Sequence, residues 1–170
     1  MNRPMRLLRS QLSVPGINEK MIRKAAESAA DHVFLDLEDA VAPSAKANAR
    51  KTVIRALNEL NWGKKTRCVR INDATTQWCF EDVIEVVEGA GKDLDTIMLT
   101  KVRDAADVKF VSLLLDQLEA KLGLKGQIGL EVLIEEAIGL QNVEEIASAS
   151  PRMEALVFGM GDYSASQQMN

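Results

Sequence analysis

Three acids stand within four residues of one another, Asp36, Glu38 and Asp39, in the stretch "VFLDLEDAV" (33–41). They close an apolar run that reads as a buried strand, and burying a charge is costly unless it is paired or metal-bound. Two readings compete. In one, the acids pair with Arg70 or Lys101 on neighbouring strands and help cap a helix that begins near Ser44. In the other, they form a polar shell around a hard cation or its water. Two more carboxylates, Glu135 in "GLEVLIEEAIGL" (129–140) and Asp162 in "VFGMGDY" (157–163), each follow directly on a predicted strand. Adjacent parallel strands lie about 4.8 Å apart, so carboxylates just beyond their ends can share one ion. Mg²⁺ suits such a pair, because it takes one or two protein carboxylates and leaves its other positions to water and substrate oxygens. Glu136 adjoins Glu135 and reads as helix N-terminal charge, and Glu131 reads as a supporting group inside the fold. Zinc fits poorly: the single histidine, His32, reads as a strand-start residue, and Cys68 and Cys79 fall in no metal spacing.

The basic residues complete the set. Arg70 in "CVRIN" ends a predicted strand, with Asn72 two residues on and facing the same way. A guanidinium there stabilises charge developing on an oxygen. It can equally make an interior salt bridge to Asp36 or Glu38, and the two roles are compatible. Lys101 in "LTKV" occupies the matching place on the next strand. A Schiff-base role would need it neutral, whereas several nearby carboxylates keep it charged.

The elements that position these residues alternate in type. Apolar runs at 7–14, 32–37, 66–71, 95–100, 127–134 and 154–159 are short and nearly continuous, as strands covered on both faces are. Between them lie helical stripes: Ile17, Met21, Ala25 and Ala29; Val53, Leu57 and Leu60; Phe80, Val83, Ile84 and Val87; Val108, Val111, Leu115, Leu118 and Leu122, opened by Asp104 as N-cap; and Leu140, Val143 and Ala147. Six βα units make a parallel α/β sheet. No nucleotide-binding glycine fingerprint follows the first strand, which favours a barrel over a doubly wound sheet. Polar residues at the carboxyl end of nearly every strand are what a barrel mouth collects. A TIM (β/α)8 barrel needs eight strands and about 250 residues, so residues 1–170 are expected to be a partial barrel domain, truncated after the sixth strand.

Composition narrows the setting. The 170 residues are 46% hydrophobic and 27% charged, with a formal net charge of −4. That is ordinary for a globular chain and offers no electrostatic footprint for nucleic acid. No apolar stretch approaches a membrane span or a secretory signal. Free thiols and the absence of a leader point to the cytoplasm.

In order along the chain, "LRSQLSVPGIN", "FLDLEDAV" with "KANAR", "VRIN", "MLTKV", "LIEEAIGL" and "FGMGDYSAS" resemble the successive motifs of the malyl-CoA lyase and citrate lyase β-subunit family of CoA ester lyases. The last two are most similar to its malyl-CoA/β-methylmalyl-CoA lyase branch. The resemblance implies a Mg²⁺-dependent (β/α)8 aldolase, with Mn²⁺ as a substitute, that cleaves or forms β-hydroxyacyl-CoA thioesters such as malyl-CoA. It places the metal ligands on Glu135 and Asp162, the substrate-contacting arginine on Arg70, and the catalytic acids on Asp36, Glu38 and Asp39, which would buttress Arg70 and the magnesium waters. It implies a retro-Claisen cleavage: the hydroxyl proton is removed, glyoxylate leaves, and Arg70 stabilises the enolate oxygen of the acetyl-CoA product. The CoA arm would pass over the turn holding Ser13, Pro15 and Gly16, with Arg9 and Lys101 as further substrate contacts; Arg9, Lys20 and Arg23 read equally as phosphate partners or as solvated surface charges. Two departures stand out: Glu136 replaces the threonine of the family's "IET", and Thr100 the proline of its "PKV". The resemblance also implies a homo-oligomer, a trimer or hexamer, whose proton-handling acid comes from a C-terminal region of a neighbouring subunit that nothing in this sequence matches. Malyl-CoA hydrolysis by a thioesterase, citrate lyase β-subunit activity on a carrier-bound thioester, and a non-catalytic CoA-binding fragment are the alternatives.

Overall fold

The computed structural model describes residues 5–124 and 128–168; Gln127, which opens the fifth apolar run, lies outside them. Six parallel strands pair in sequence order, β1 (Gln11–Pro15), β2 (His32–Asp36), β3 (Thr66–Arg70), β4 (Thr96–Leu99), β5 (Gly129–Ile134) and β6 (Met153–Phe158). Each βα crossover returns the chain beside the strand just left. This is the strand order and helix alternation of the first six units of a TIM (β/α)8 barrel, the α/β architecture expected from the polar strand ends.

Side-chain alternation divides the core in two. Val33, Leu35, Val69, Ile97, Leu130, Val132 and Ile134 face outward into one large cluster with the helices. Their alternates Phe34, Cys68, Met98, Leu133 and Val157 form a smaller cluster on the concave side. The covering helices are α1 (Glu19–Glu27), α2 (Lys46–Glu59), α3 (Cys79–Ala90) and α4 (Ala105–Leu122). The Asp104 side chain accepts from the N–H groups of Ala106 and Asp107 and starts α4, while Gly123 at φ 64° ends it.

Helix phase differs from expectation in three places. In α1 the Asn18 cap starts the helix at Glu19, so Ile17 stands outside it, Met21 is exposed, and Ile22, Ala25 and Ala26 face the sheet. In α3, Phe80 is exposed and Cys79, Val83, Val86 and Val87 are buried. The fifth stripe is two five-residue helices, α5 (Ala137–Gln141) and α6 (Val143–Ala147), joined at Asn142, whose side chain donates to the Arg103 carbonyl. Leu140 is exposed as a result, and Ile146 is the buried apolar residue of the pair. A last helix, α7 (Met160–Ser166), follows β6.

Candidate active site

The carboxyl ends of the strands gather Asp36, Glu38 and Asp39 after β2, Arg70 on β3, Lys101 after β4, Glu135 after β5 and Asp162 in α7. Asp36 is fully buried. Both its oxygens accept from Arg70, Nε at 2.8 Å and Nη2 at 2.7 Å, and both also accept backbone N–H groups, from Glu38 and Ala40. Burial alone would raise the Asp36 pKa, but these bonds and the guanidinium charge overrule it and the net shift is downward. The pair therefore stays ionised. Arg70 is also flanked by Glu38 Oε2 at 3.6 Å and lies over the Phe34 ring at 5.6 Å. The acids after β2 thus do as the ion-pair reading requires, but they brace Arg70 and a loop rather than cap a helix.

Lys101 joins the other half of the cluster. Its ammonium donates to Glu38 Oε1 and to Asp39 Oδ1, the latter at 3.3 Å, and its backbone N–H donates to Glu135 Oε1 at 2.8 Å. Burial works against the ammonium, but the two acids outweigh it and hold Lys101 firmly charged. Glu135 is buried, and its pKa is pushed up to about 7, first by burial and then by Asp162 and Glu38, against the Lys101 N–H. Glu135 and Asp162 are therefore close neighbours across the β5–β6 boundary. Gly159 permits this approach, since a Cβ there would fall 2.7 Å from that of Glu135. Glu136 is half-buried and turns toward Arg103, whose guanidinium its charge stabilises, so Glu135 is the carboxylate that meets Asp162.

The turn after β1 lies alongside. Pro15 is in register with Asp36, Ser13 is exposed beside Phe34, and the Gly16 N–H donates to the Asp36 carbonyl at 2.8 Å. A Cβ on Gly16 would sit 2.7 Å from that oxygen, so its close backbone approach is to β2. Arg9 is not brought to this end. It precedes β1, and its guanidinium forks onto Asp31, which precedes β2, so both sit at the amino end of the sheet. Its assignment as a substrate contact is corrected accordingly. Lys20 and Arg23 are exposed on α1. Asn72 is corrected as well: past the strand end it turns into a buried network with Asp82 and the Leu37 carbonyl.

Several supporting residues escaped the sequence reading, although Glu131 was read as one. Lys46, buried at the start of α2, donates to the carbonyls of Leu37 at 2.7 Å and Glu38 at 2.8 Å, and so pins the loop that carries the acids. Arg50 and Asp82 pair beneath it at 3.1 Å. Lower in the concave face, His32 Nε2 lies 2.8 Å from Glu131 Oε1, which also accepts from Thr96 Oγ1 at 2.6 Å. With Cys68 they form a wholly buried group whose ligand-type atoms lie within 4.8 Å of one another. Three different strands supply it, which is why no spacing in the sequence announces it. The hydrogen bonds on Glu131 Oε1 tie His32 and Thr96 into a polar floor of the barrel, while His32 Nδ1 is buried without a hydrogen-bond partner.

Adjoining carboxylates beside a braced guanidinium, at the carboxyl ends of barrel strands, are the donor types that a hard divalent cation and an oxyanion require. The chain is 46% identical over 166 residues to the L-malyl-CoA/β-methylmalyl-CoA lyase of Rhodobacter capsulatus, covering 98% of this chain and 52% of the relative. It spans about half the length of the curated relatives it matches. Among solved structures, the citrate lyase β subunit of Mycobacterium tuberculosis complexed with oxaloacetate and magnesium matches with a TM-score of 0.71 and 29% identity, over 94% of this chain and 61% of that one. A citrate lyase of Burkholderia xenovorans shares the fold with a TM-score of 0.86 at 22% identity, over 95% and 52%. The profile of the HpcH/HpaI aldolase/citrate lyase family matches residues 9–170, and the chain belongs to that family.

Proposed function

We propose that the chain carries the metal and oxyanion half of a Mg²⁺-dependent carbon–carbon lyase that cleaves or forms β-hydroxyacyl-CoA thioesters, malyl-CoA to acetyl-CoA and glyoxylate in the first instance. The observation that carries this reading is the Glu135–Asp162 dyad. Two adjoining carboxylates, one buried, repel each other, and the fold makes ionised Glu135 costly. A divalent cation relieves that repulsion, and all-oxygen donors suit Mg²⁺ or Mn²⁺. The donor set fits the group. When bound, the cation would supply Lewis-acid polarisation of the hydroxy-acid oxygens.

The remaining chemistry belongs to the side chains. Arg70, fixed by Asp36, Glu38 and Phe34, presents a permanent charge where the thioester oxygen gains electron density as the carbon–carbon bond breaks. Because it is already braced, little reorganisation is needed at that moment. Lys101, Glu38 and Asp39 keep the mouth's charges paired before substrate arrives. The turn at Ser13 and Pro15 borders this mouth and offers the CoA arm a path past Asp36. A homo-oligomeric, cytoplasmic protein is part of the same reading and rests on the resemblance; among the described residues no helix is long and apolar enough to cross a membrane.

The products formed from malyl-CoA with Mg²⁺ in a full-length context test this. Glyoxylate and acetyl-CoA in equal amounts are expected. Free malate and CoA without glyoxylate would mean hydrolysis and contradict the lyase.

A further inference from the structure

Lys101 is the only residue in the site with a left-handed backbone, φ 50°; the other non-glycine residue of this kind among those described is Gln168. An unbranched residue enters that region only at a steric cost, and such conformations persist where the surroundings over-determine them. Here both ends of the residue are held. Its N–H meets Glu135 Oε1 at 2.8 Å, and its ammonium, at the end of a side chain 31% exposed, is tied to Glu38 and Asp39. The second oxygen of Glu135, Oε2, faces the other way, onto Gly159 at the entrance to the helix that carries Asp162.

We propose that Lys101 is a positioning residue for the metal-binding carboxylate. Its left-handed turn places an N–H on Oε1 of Glu135, which fixes the carboxylate plane and leaves Oε2 for a divalent cation shared with Asp162. The ammonium anchors the turn by holding the acids after β2, so the strained backbone is maintained from two strands away. Partners that orient a ligating carboxylate in this way act on metal affinity without touching the metal. The inference rests on Glu135 being a metal ligand, as proposed above, and deepens that reading.

Three substitutions separate backbone from side chain. Lys101→Gly loses the ammonium but enters the left-handed region freely. Lys101→Met loses the ammonium and keeps the steric cost. Lys101→Val adds a β-branch that opposes the turn. Mn²⁺ is the probe, with free ion followed by electron paramagnetic resonance and folding checked by circular dichroism. Lys101→Val should weaken Mn²⁺ binding about 10–100-fold, the range for loss of an outer partner of a metal ligand. Lys101→Gly should stay within about threefold of the parent, because its N–H remains on Glu135, and Lys101→Met should fall between. If Lys101→Val fails to fold, the order of Gly above Met carries the same decision. Glycine binding as weakly as methionine or valine, or no loss in any variant, overturns the positioning role. Parent binding that is indifferent to Glu135→Gln would instead overturn the ligand assignment, and the inference with it.

Discussion

Glu135 is where the folded chain works against its own charge. A carboxyl held at about 7 rather than at its ordinary value binds more protons folded than unfolded between about pH 4.5 and 7. Folding stability of the metal-free chain should therefore fall as pH rises through that window, which is the reverse of the Asp36 contribution. Asp36 is depressed, so its stabilisation is present above the ordinary aspartate range and is lost as pH falls through its folded pKa. Glu135→Gln removes the penalty and lets the new amide donate to Asp162. Without divalent ions it should be the more stable form at pH 8 by roughly 1–3 kcal/mol, since one pKa unit is worth about 1.4 kcal/mol. Little difference is expected at pH 4.5, and urea denaturation at the two pH values measures it. Arg70 makes a second residue-scale prediction. Arg70→Lys should lower kcat nearly as much as Arg70→Ala, about 10²–10³-fold, because lysine cannot reproduce the fork that Asp36 grips. A raised KM with unchanged kcat would assign Arg70 to binding alone. Arg70 and Glu135 could be placed from sequence because one closes and the other directly follows a recognisable strand, and Asp162 because it lies in the first turn of the helix after β6. Arg9 and Asn72 misled because proximity in sequence to a strand end does not say which end of the sheet a residue occupies or where it turns after the strand stops.

At the scale of elements, the strands were readable and the helices less so. Buried parallel strands leave continuous apolar runs, and all six coincide with observed strands to within a few residues. The α1 stripe was misjudged because small residues make its contacts, Ala25 and Ala26 beside Ile22; in α2 Val53 and Leu57 are buried as expected, but Lys46 and Arg50 are buried with them. Hydrophobicity does not report a buried lysine. Lys46 also sets the acid loop's position, with two carbonyls on its ammonium and the Trp78 ring 5.4 Å away. Lys46→Met keeps much of the volume but strands those carbonyls. It should destabilise the chain by about 2–4 kcal/mol, on the scale of hydrogen bonds to charged groups, with the midpoint of urea unfolding as the readout. An unchanged midpoint would show that the loop holds itself.

The whole molecule presents two sheet edges, β1 and β6, with apolar side chains near both: Leu12 at 36%, Leu156 at 41%, Phe158 at 55% and Met160 at 72% exposure. Unpaired edges with apolar neighbours invite association. The 170-residue chain alone should sediment as more than a monomer, and Leu156→Lys should shift it toward monomer. The proposed reaction needs a group to handle the substrate's hydroxyl proton, and the acids after β2 are paired with Arg70 and Lys101 while Glu135 and Asp162 are proposed for the metal. Such a group contributes about 10²–10⁴-fold, so the chain alone should release little glyoxylate from malyl-CoA; turnover near about 10 s⁻¹ would refute this. An open six-stranded sheet was readable from the count of apolar runs, but which apolar side chains line its edges was not, because that is settled by the assembled sheet. The metal dyad is independent of them and is open to direct measurement: calorimetric titration of the chain and its variants with Mg²⁺. Glu135→Gln and Asp162→Asn should each abolish or severely weaken binding while Glu136→Gln binds like the parent. Parent-like binding by the first two, or loss in Glu136→Gln alone, would contradict the site as assigned.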